Sequence, residues 1–302
     1  MRHFNEAYLK LYTSFFCLSE KFTTLRKVIS LTSNNRNIVR NIVQNTLFLL
    51  FFSIIILCAS FTPLGIKEYR VRKIVIDAGH GGKDSGTIGS FSYEKDVALE
   101  IALKLGNIIN KYMEGVEVIY TRKDDTFISL ENRANIANKN GADVFISIHC
   151  NAVGNHEVYG TETWVMGPHK TAGNLEVAKR ENAVVLLEED YETNYEGFDP
   201  NAPESHILFS LYQNAYIGNS LKLAQNIENQ FKDRVGRNSR GVKQAGFLVL
   251  WKTSMPSVLV ETGFLSNKKE EKYLNDELKQ SYIASGIFRA FRDYKQEIES
   301  MD

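Results

Sequence analysis

Three apolar runs in this chain each end on a chemistry-bearing residue. Ile74-Val75-Ile76 leads into Asp77-Ala78-Gly79-His80, Val144-Phe145-Ile146-Ser147-Ile148 into His149, and Val258-Leu259-Val260 into Glu261. The runs are continuous rather than alternating, the pattern of strands covered on both faces. With the remaining apolar stretches they predict strands at 73–77, 116–121, 143–148, 160–166, 247–251 and 257–261. Between them the apolar period changes to 3.6. Val97, Ile101, Leu105 and Ile108 mark one helix, and Leu130 to Asn138 opens after Ser129, a suitable N-cap. Leu223, Ile227 and Phe231 form a stripe within 208–235, and a last helix covers roughly 280–296. This alternation predicts an α/β fold: a mostly parallel twisted sheet covered by helices on both faces, in a single domain that runs to the C-terminus.

One stretch breaks the alternation. Residues 167–206 include an acidic cluster, Glu188-Glu189-Asp190-Tyr191-Glu192, followed by Asn194, Gly197, Pro200 and Pro203. Insertions this long are lids, regulatory pieces or disordered segments. Lys179 to Leu187 suits a short helix within it.

The formal net charge of zero hides an asymmetry. Residues 1–60 hold seven Lys/Arg against two acids, a balance of +5, and the remaining 242 hold 29 basic and 34 acidic residues, a balance of −5. The acidic main part argues against a nucleic-acid binder. The N-terminus reads as a basic extension (1–45), an apolar segment without charge (46–60) and a linker with Pro63 and Gly65 (61–71). The apolar segment suits a signal-peptide core better than a full transmembrane helix, and Cys58-Ala59-Ser60 offers a small-residue cleavage site. The long extension ahead of it makes retention as a membrane anchor the alternative. Both predict export, to the periplasm or the extracytoplasmic face of the cytoplasmic membrane. Of Cys17, Cys58 and Cys150 only the last falls in the α/β part, so no disulfide is expected there.

In an open parallel sheet the strand C-termini line one crevice, where ligands bind. A lone histidine at a strand end is more often a satisfied core residue. Two of them, His80 and His149, with Glu94 just before a helix, match the three protein ligands of a catalytic zinc site. No His-Glu-x-x-His helix is present, and the Gly-rich loop at 79–89 lacks both the P-loop and the dinucleotide spacing. Its glycines are read as room for a bulky substrate. A buried Glu261 is costly as an unpaired structural acid and suits a general base.

The strings Ile76-Asp77-Ala78-Gly79-His80-Gly81-Gly82, Glu94-Lys95-Asp96, Ser147-Ile148-His149-Cys150-Asn151-Ala152 and Pro256 to Asn267 occur in this order, with Thr121-Arg122 and the Leu130/Arg133/Ala137-Asn138 helix between them. As a set they resemble the zinc N-acetylmuramoyl-L-alanine amidases of bacterial cell-wall turnover, over about residues 72–296. The resemblance implies zinc held by His80, Glu94 and His149, with Glu261 as the catalytic glutamate. It implies cleavage of the amide between N-acetylmuramic acid and L-alanine in peptidoglycan, in wall turnover and daughter-cell separation. Arg133 and Asn151 are candidate substrate contacts. Cys150 stands where a small residue is more usual, and its side chain is expected to pack rather than ligate. The resemblance also suggests that the 167–206 insert is an autoinhibitory plug, with Glu188, Glu189 and Glu192 as candidates to face the metal. An activator of degenerate metallopeptidase type would release it; the enzyme is expected to be a monomer that binds no nucleic acid. The competing readings are a zinc peptidase acting on wall peptides and a non-catalytic wall-binding protein on an amidase fold.

Overall fold

The computed structural model describes residues 36–59, 70–189, 191–200, 202–210 and 215–300. The chain divides into two units, residues 1–67 and 68–302. In the first, helix α1 spans Arg36–Ala59; most of the predicted basic extension and the linker residues 61–69 lie outside the described residues. No helix among the described residues is long and apolar enough to cross a membrane.

The second unit is built on six strands: β1 (Lys73–Ala78), β2 (Glu117–Tyr120), β3 (Val144–Asn151), β4 (Thr161–Met166), β5 (Ser239–Ala245) and β6 (Ser257–Phe264). Their order in the sheet is β2-β1-β3-β6-β4-β5. The first four in that order run parallel, β4 runs antiparallel to β6, and β5 runs parallel to β4. The helices are α2 (Glu94–Tyr112), α3 (Leu130–Lys139), α4 (Ala172–Asn182), α5 (Tyr191–Asn194), α6 (Pro203–Ser210), α7 (Ile217–Gln230), α8 (Leu248–Trp251), α9 (Lys268–Leu274) and α10 (Glu277–Glu299). Ser129 caps α3 as expected, its hydroxyl accepting from the Asn132 N–H at 3.3 Å.

Because strand side chains alternate, each central strand feeds two cores. Ile74, Ile76, Ile146, Ile148, Val258 and Val260 pack against Ile101 and Leu105 of α2, Leu223 and Ile227 of α7, and Ile287 and Phe291 of α10. On the opposite face Val75, Phe145, Trp164 and Leu259 meet Leu130 and Ala137 of α3, the α8 residues, and Val177, Ala178, Val184 and Val185. The last four belong to the insert, which is therefore a packed layer and not a loose loop. Burial of such side chains stabilises by about 1.5–3 kcal/mol each, so detaching the whole insert is strongly opposed.

One predicted strand is wrong. Residues 247–251 contain the single helical turn α8, and the sixth strand is β5, Ser-Arg-Gly-Val-Lys-Gln-Ala. α8 is apolar on all sides because all four of its residues are buried. β5 is an edge strand, hydrogen-bonded only to β4, so it needs no apolar run. The reversed direction of β4 has a consequence for the crevice. It brings the start of β4 to the edge where β1, β3 and β6 end, with Glu162 the register partner of Glu261.

Candidate active site

Four buried side chains meet at that edge: His80 just after β1, Glu94 at the first turn of α2, His149 near the end of β3 and Glu181 of α4. Glu94 Oε1 lies 3.1 Å from His80 Nε2 and 3.0 Å from His149 Nδ1. Glu181 Oε2 lies 3.4 Å and 3.1 Å from the same two nitrogens. All four atoms fall within 4.8 Å of one another. A tetrahedral zinc with bonds of about 2.0–2.1 Å has ligand–ligand edges of about 3.3 Å, so the donor set fits such an ion in both type and spacing. His80 Nε2 and Glu181 Oε2 have no hydrogen-bond partner although both are buried, a state that would otherwise cost free energy.

The electrostatics of the cluster favour cationic occupancy. Burial opposes charge on both histidines, yet Glu94 and Asp84 hold His80 well above its ordinary pKa, and Glu181 with Glu94 pushes His149 up to about 9. Burial likewise raises the carboxyls, but His80 outweighs it at Glu94 and Arg180 at Glu181, so both stay below the usual carboxylate range.

The loop after β1 is built to aim His80. His80 itself sits at φ 60°, a left-handed conformation rare for a residue with a side chain. Two buried arginines grip the backbone there. Arg122 donates to the carbonyls of Ala78 (2.9 Å) and Gly79 (2.7 Å). Arg133 donates to Ala78 O and His80 O, both at 2.7 Å, and to Asp77 Oδ1 at 2.7 Å. Asp84 Oδ2, 2.7 Å from His80 Nδ1, fixes the ring so that Nε2 faces the cluster, the carboxylate–histidine arrangement that orients metal ligands. Glu94 is held by the N–H groups of Thr87 (2.8 Å, to Oε2) and Cys150 (2.9 Å, to Oε1). Cys150 contributes this backbone contact and packs its thiol in the core beneath α2.

Two expectations change here. Two of the loop glycines, Gly79 and Gly86, make room for the cluster's own side chains. A Cβ at Gly79 would lie 2.5 Å from the His149 ring, and one at Gly86 would lie 2.6 Å from His80 and 2.8 Å from Glu94. Arg133 is 2% exposed, and its guanidinium is consumed by Asp77 and the 78–80 backbone, so it is not placed to meet a peptide carboxylate. Arg133→Ala would strand the buried Asp77 carboxylate. A loss of about 3–5 kcal/mol in unfolding free energy is expected, and urea denaturation measures it.

Glu261 is the register partner of His149 on the neighbouring strand and is 0% exposed. Neither of its oxygens has a hydrogen-bond partner. Burial first, then the nearby Glu181 and Glu94 carboxylates, push its carboxyl well above the usual range. Asn151 is fully buried beside it and donates to Glu162 Oε2 at 3.0 Å. Arg180 reaches over both, 3.8 Å from Glu261 Oε1 and 3.0 Å from Asn151 Oδ1.

The insert reaches the cluster through a different residue from those expected. Glu188 instead accepts from Leu130 N and Tyr195 Oη, at 2.8 and 2.7 Å, and Glu189 and Glu192 are exposed. Acidic density along the insert points to 188–192 and away from Glu181. Its position relative to apolar neighbours would have found it: Val177, Glu181, Val184 and Val185 fall at i, i+4, i+7 and i+8, an inward stripe interrupted by one acid.

Residues 74–293 match the family model described as N-acetylmuramoyl-L-alanine amidase. The chain is 35% identical over 235 residues to the N-acetylmuramoyl-L-alanine amidase AmiA of Escherichia coli, covering 77% of this chain and 79% of that protein. It is 36% identical to AmiC of E. coli O6:H1, covering 76% of this chain and 54% of that one. Among solved structures it resembles an N-acetylmuramoyl-L-alanine amidase from Clostridium difficile 630, with a TM-score of 0.55 and 31% identity over 75% of this chain and 97% of that one. The CwlD amidase of Clostridioides difficile, solved in complex with the GerS lipoprotein, gives a TM-score of 0.55 at 29% identity, covering 75% and 99%.

Proposed function

Because the chain belongs to the N-acetylmuramoyl-L-alanine amidase family, we propose that it is a zinc hydrolase cutting the peptidoglycan amide between the lactyl group of N-acetylmuramic acid and L-alanine. The observation that carries the zinc reading is the buried, closely clustered donor set of His80, Glu94, His149 and Glu181. The first three are the resident ligands, delivered by the sheet edge and α2. Glu181 comes from the insert and takes the fourth position. Zinc in such a site supplies Lewis acidity to a carbonyl and to a water. The chain's own residues do the rest. Glu261, with no hydrogen-bond partner on either oxygen, removes a proton from the attacking water and returns it to the departing amine. Asp84 keeps the His80 ring in register.

In this conformation the enzyme is closed. Glu181 Oε2, set between His80 and His149, would stand where an attacking water has to bind, and Arg180 lies over Glu261. Activity then requires a shift to an open population. The packing of Val177, Val184 and Val185 makes that population small without help. A partner that draws α4 away fits this need, and an amidase neighbour is known bound to a protein partner. We assign that role to an activator of degenerate metallopeptidase type. We assign the enzyme to daughter-cell separation during cell division, outside the cytoplasmic membrane. The support for export is the charge-free apolar segment in α1, which exposes Leu47, Phe48, Leu49, Phe51 and Phe52.

The test is Glu181→Ala. Cutting out the whole insert would uncover Trp164 and Phe247, whereas this change removes only the plug carboxylate. Dye release from labelled sacculi is expected to rise about tenfold or more over wild type, the scale of a typical coupling free energy. A fall in activity, in a folded variant that still holds zinc, would make Glu181 a working ligand.

A further inference from the structure

The position of Arg180 reveals more than a closed gate. Its Nη1 donates to the carbonyl of Ala152 at 2.6 Å. Its Nη2 lies among three oxygens: Glu181 Oε1 at 2.8 Å, Asn151 Oδ1 at 3.0 Å and Glu261 Oε1 at 3.8 Å. Glu181 shares α4 with Arg180 and moves with it. The other three acceptors belong to the sheet edge and stay. With Arg180 withdrawn, Glu261, Asn151 Oδ1 and Ala152 O form a cup of acceptors without a donor.

The cup is fixed in that sense. Asn151 donates through Nδ2 to Glu162 Oε2 at 3.0 Å, and Glu162 is itself held by Arg240 Nε at 2.6 Å and Lys243 Nζ at 2.5 Å. Turning the amide over would set its carbonyl oxygen against the Glu162 carboxylate, which is 2% exposed. Burial of an acceptor pair without a donor is costly. Asn151 therefore keeps Oδ1 toward Glu261, whose own oxygens lack hydrogen-bond partners.

We propose that the Arg180 guanidinium sits in the seat of the substrate's leaving amine, and that Asn151 Oδ1 and Ala152 O are its acceptors beside Glu261. The inference rests on the amidase reading above. In the hydrolysis the C–N bond breaks, and the nitrogen takes the proton that Glu261 removed from water. The N–H already on that nitrogen needs an acceptor throughout. Asn151 supplies it and is a catalytic residue, while Glu162 is a positioning residue that keeps the amide from turning.

Binding of small amines tests this without turnover. The probes are L-alaninamide, which has a protonated primary amine, and its N,N,N-trimethyl derivative, which keeps the charge and has no N–H on that nitrogen. They are titrated into the full-length protein, followed by two-dimensional amide NMR. L-Alaninamide should bind Arg180→Ala about tenfold or more tightly than it binds wild type, and about tenfold more tightly than the trimethyl compound binds the same variant. Adding Asn151→Leu should abolish the preference. Glu162→Gln, nearly isosteric and less disruptive to folding, should weaken it by letting the Asn151 amide turn. Equal binding by wild type and Arg180→Ala overturns the seat, as does equal binding of the two probes. Donor-selective binding by an Arg180→Ala/Glu181→Ala protein that holds zinc and releases no peptide from sacculi would refute the amidase reading and leave the amine seat standing. An active Arg180→Ala enzyme without donor-selective binding would refute the seat alone.

Discussion

Glu261→Gln is expected to keep its metal and to lose about 10²–10⁴ of its activity on sacculi, the usual range for a missing general base. Glu261 sits on β6 as the neighbour of His149, completely buried, with no hydrogen bond to either oxygen. A carboxylate in that state has no structural task that explains it. Glutamine keeps the shape and cannot take a proton from water at neutral pH. The substitution breaks no native hydrogen bond, and it removes repulsion from Glu181 and Glu94, which the carboxyl now feels. The melting temperature should therefore hold or rise while turnover collapses. Near-wild-type dye release from a folded, zinc-loaded Glu261→Gln protein would place the base elsewhere.

The second large effect concerns the metal. His80→Ala and His149→Ala each remove one of the four clustered ligand atoms, and stoichiometric zinc should be lost on dialysis. Folding should survive, because the two cores on either side of the sheet do not depend on the cluster. The linkage gives a second readout. A ligand that binds only the folded state at a thousand times its Kd stabilises it by about 4 kcal/mol. Zinc should accordingly raise the melting temperature of the wild type and leave both variants nearly unchanged. One equivalent of zinc retained by His80→Ala would contradict the ligand assignment.

The parts of this fold that were legible in the sequence are those governed by burial on two faces. β1, β3 and β6 announce themselves as unbroken apolar runs, and the polar residue that ends each is the residue the crevice uses. β5 was hidden because an edge strand with Arg240 and Lys243 reaching toward Glu162 carries no such run. Phe247 to Trp251 reads as a strand because a buried helical turn and a buried strand look alike at that length. In the site, His80, Glu94 and His149 could be paired from their positions at strand and helix ends. Asp84 escaped notice because its role is to orient His80 from four residues away. From the sequence alone Arg133, Gly79 and Gly86 suit a substrate contact. Their work is to hold a left-handed histidine and to leave space for its partners, which only the three-dimensional contacts reveal.

The most direct test of the central claim is the product profile of Glu181→Ala protein on purified sacculi, read by mass spectrometry. A zinc amidase freed of its plug should release stem peptides that begin with a free-amine L-alanine and leave glycan strands whose N-acetylmuramic acid is bare. Shortened stems still joined to the sugar would identify a peptidase, and the absence of any cleavage by the zinc-loaded protein would contradict the account outright.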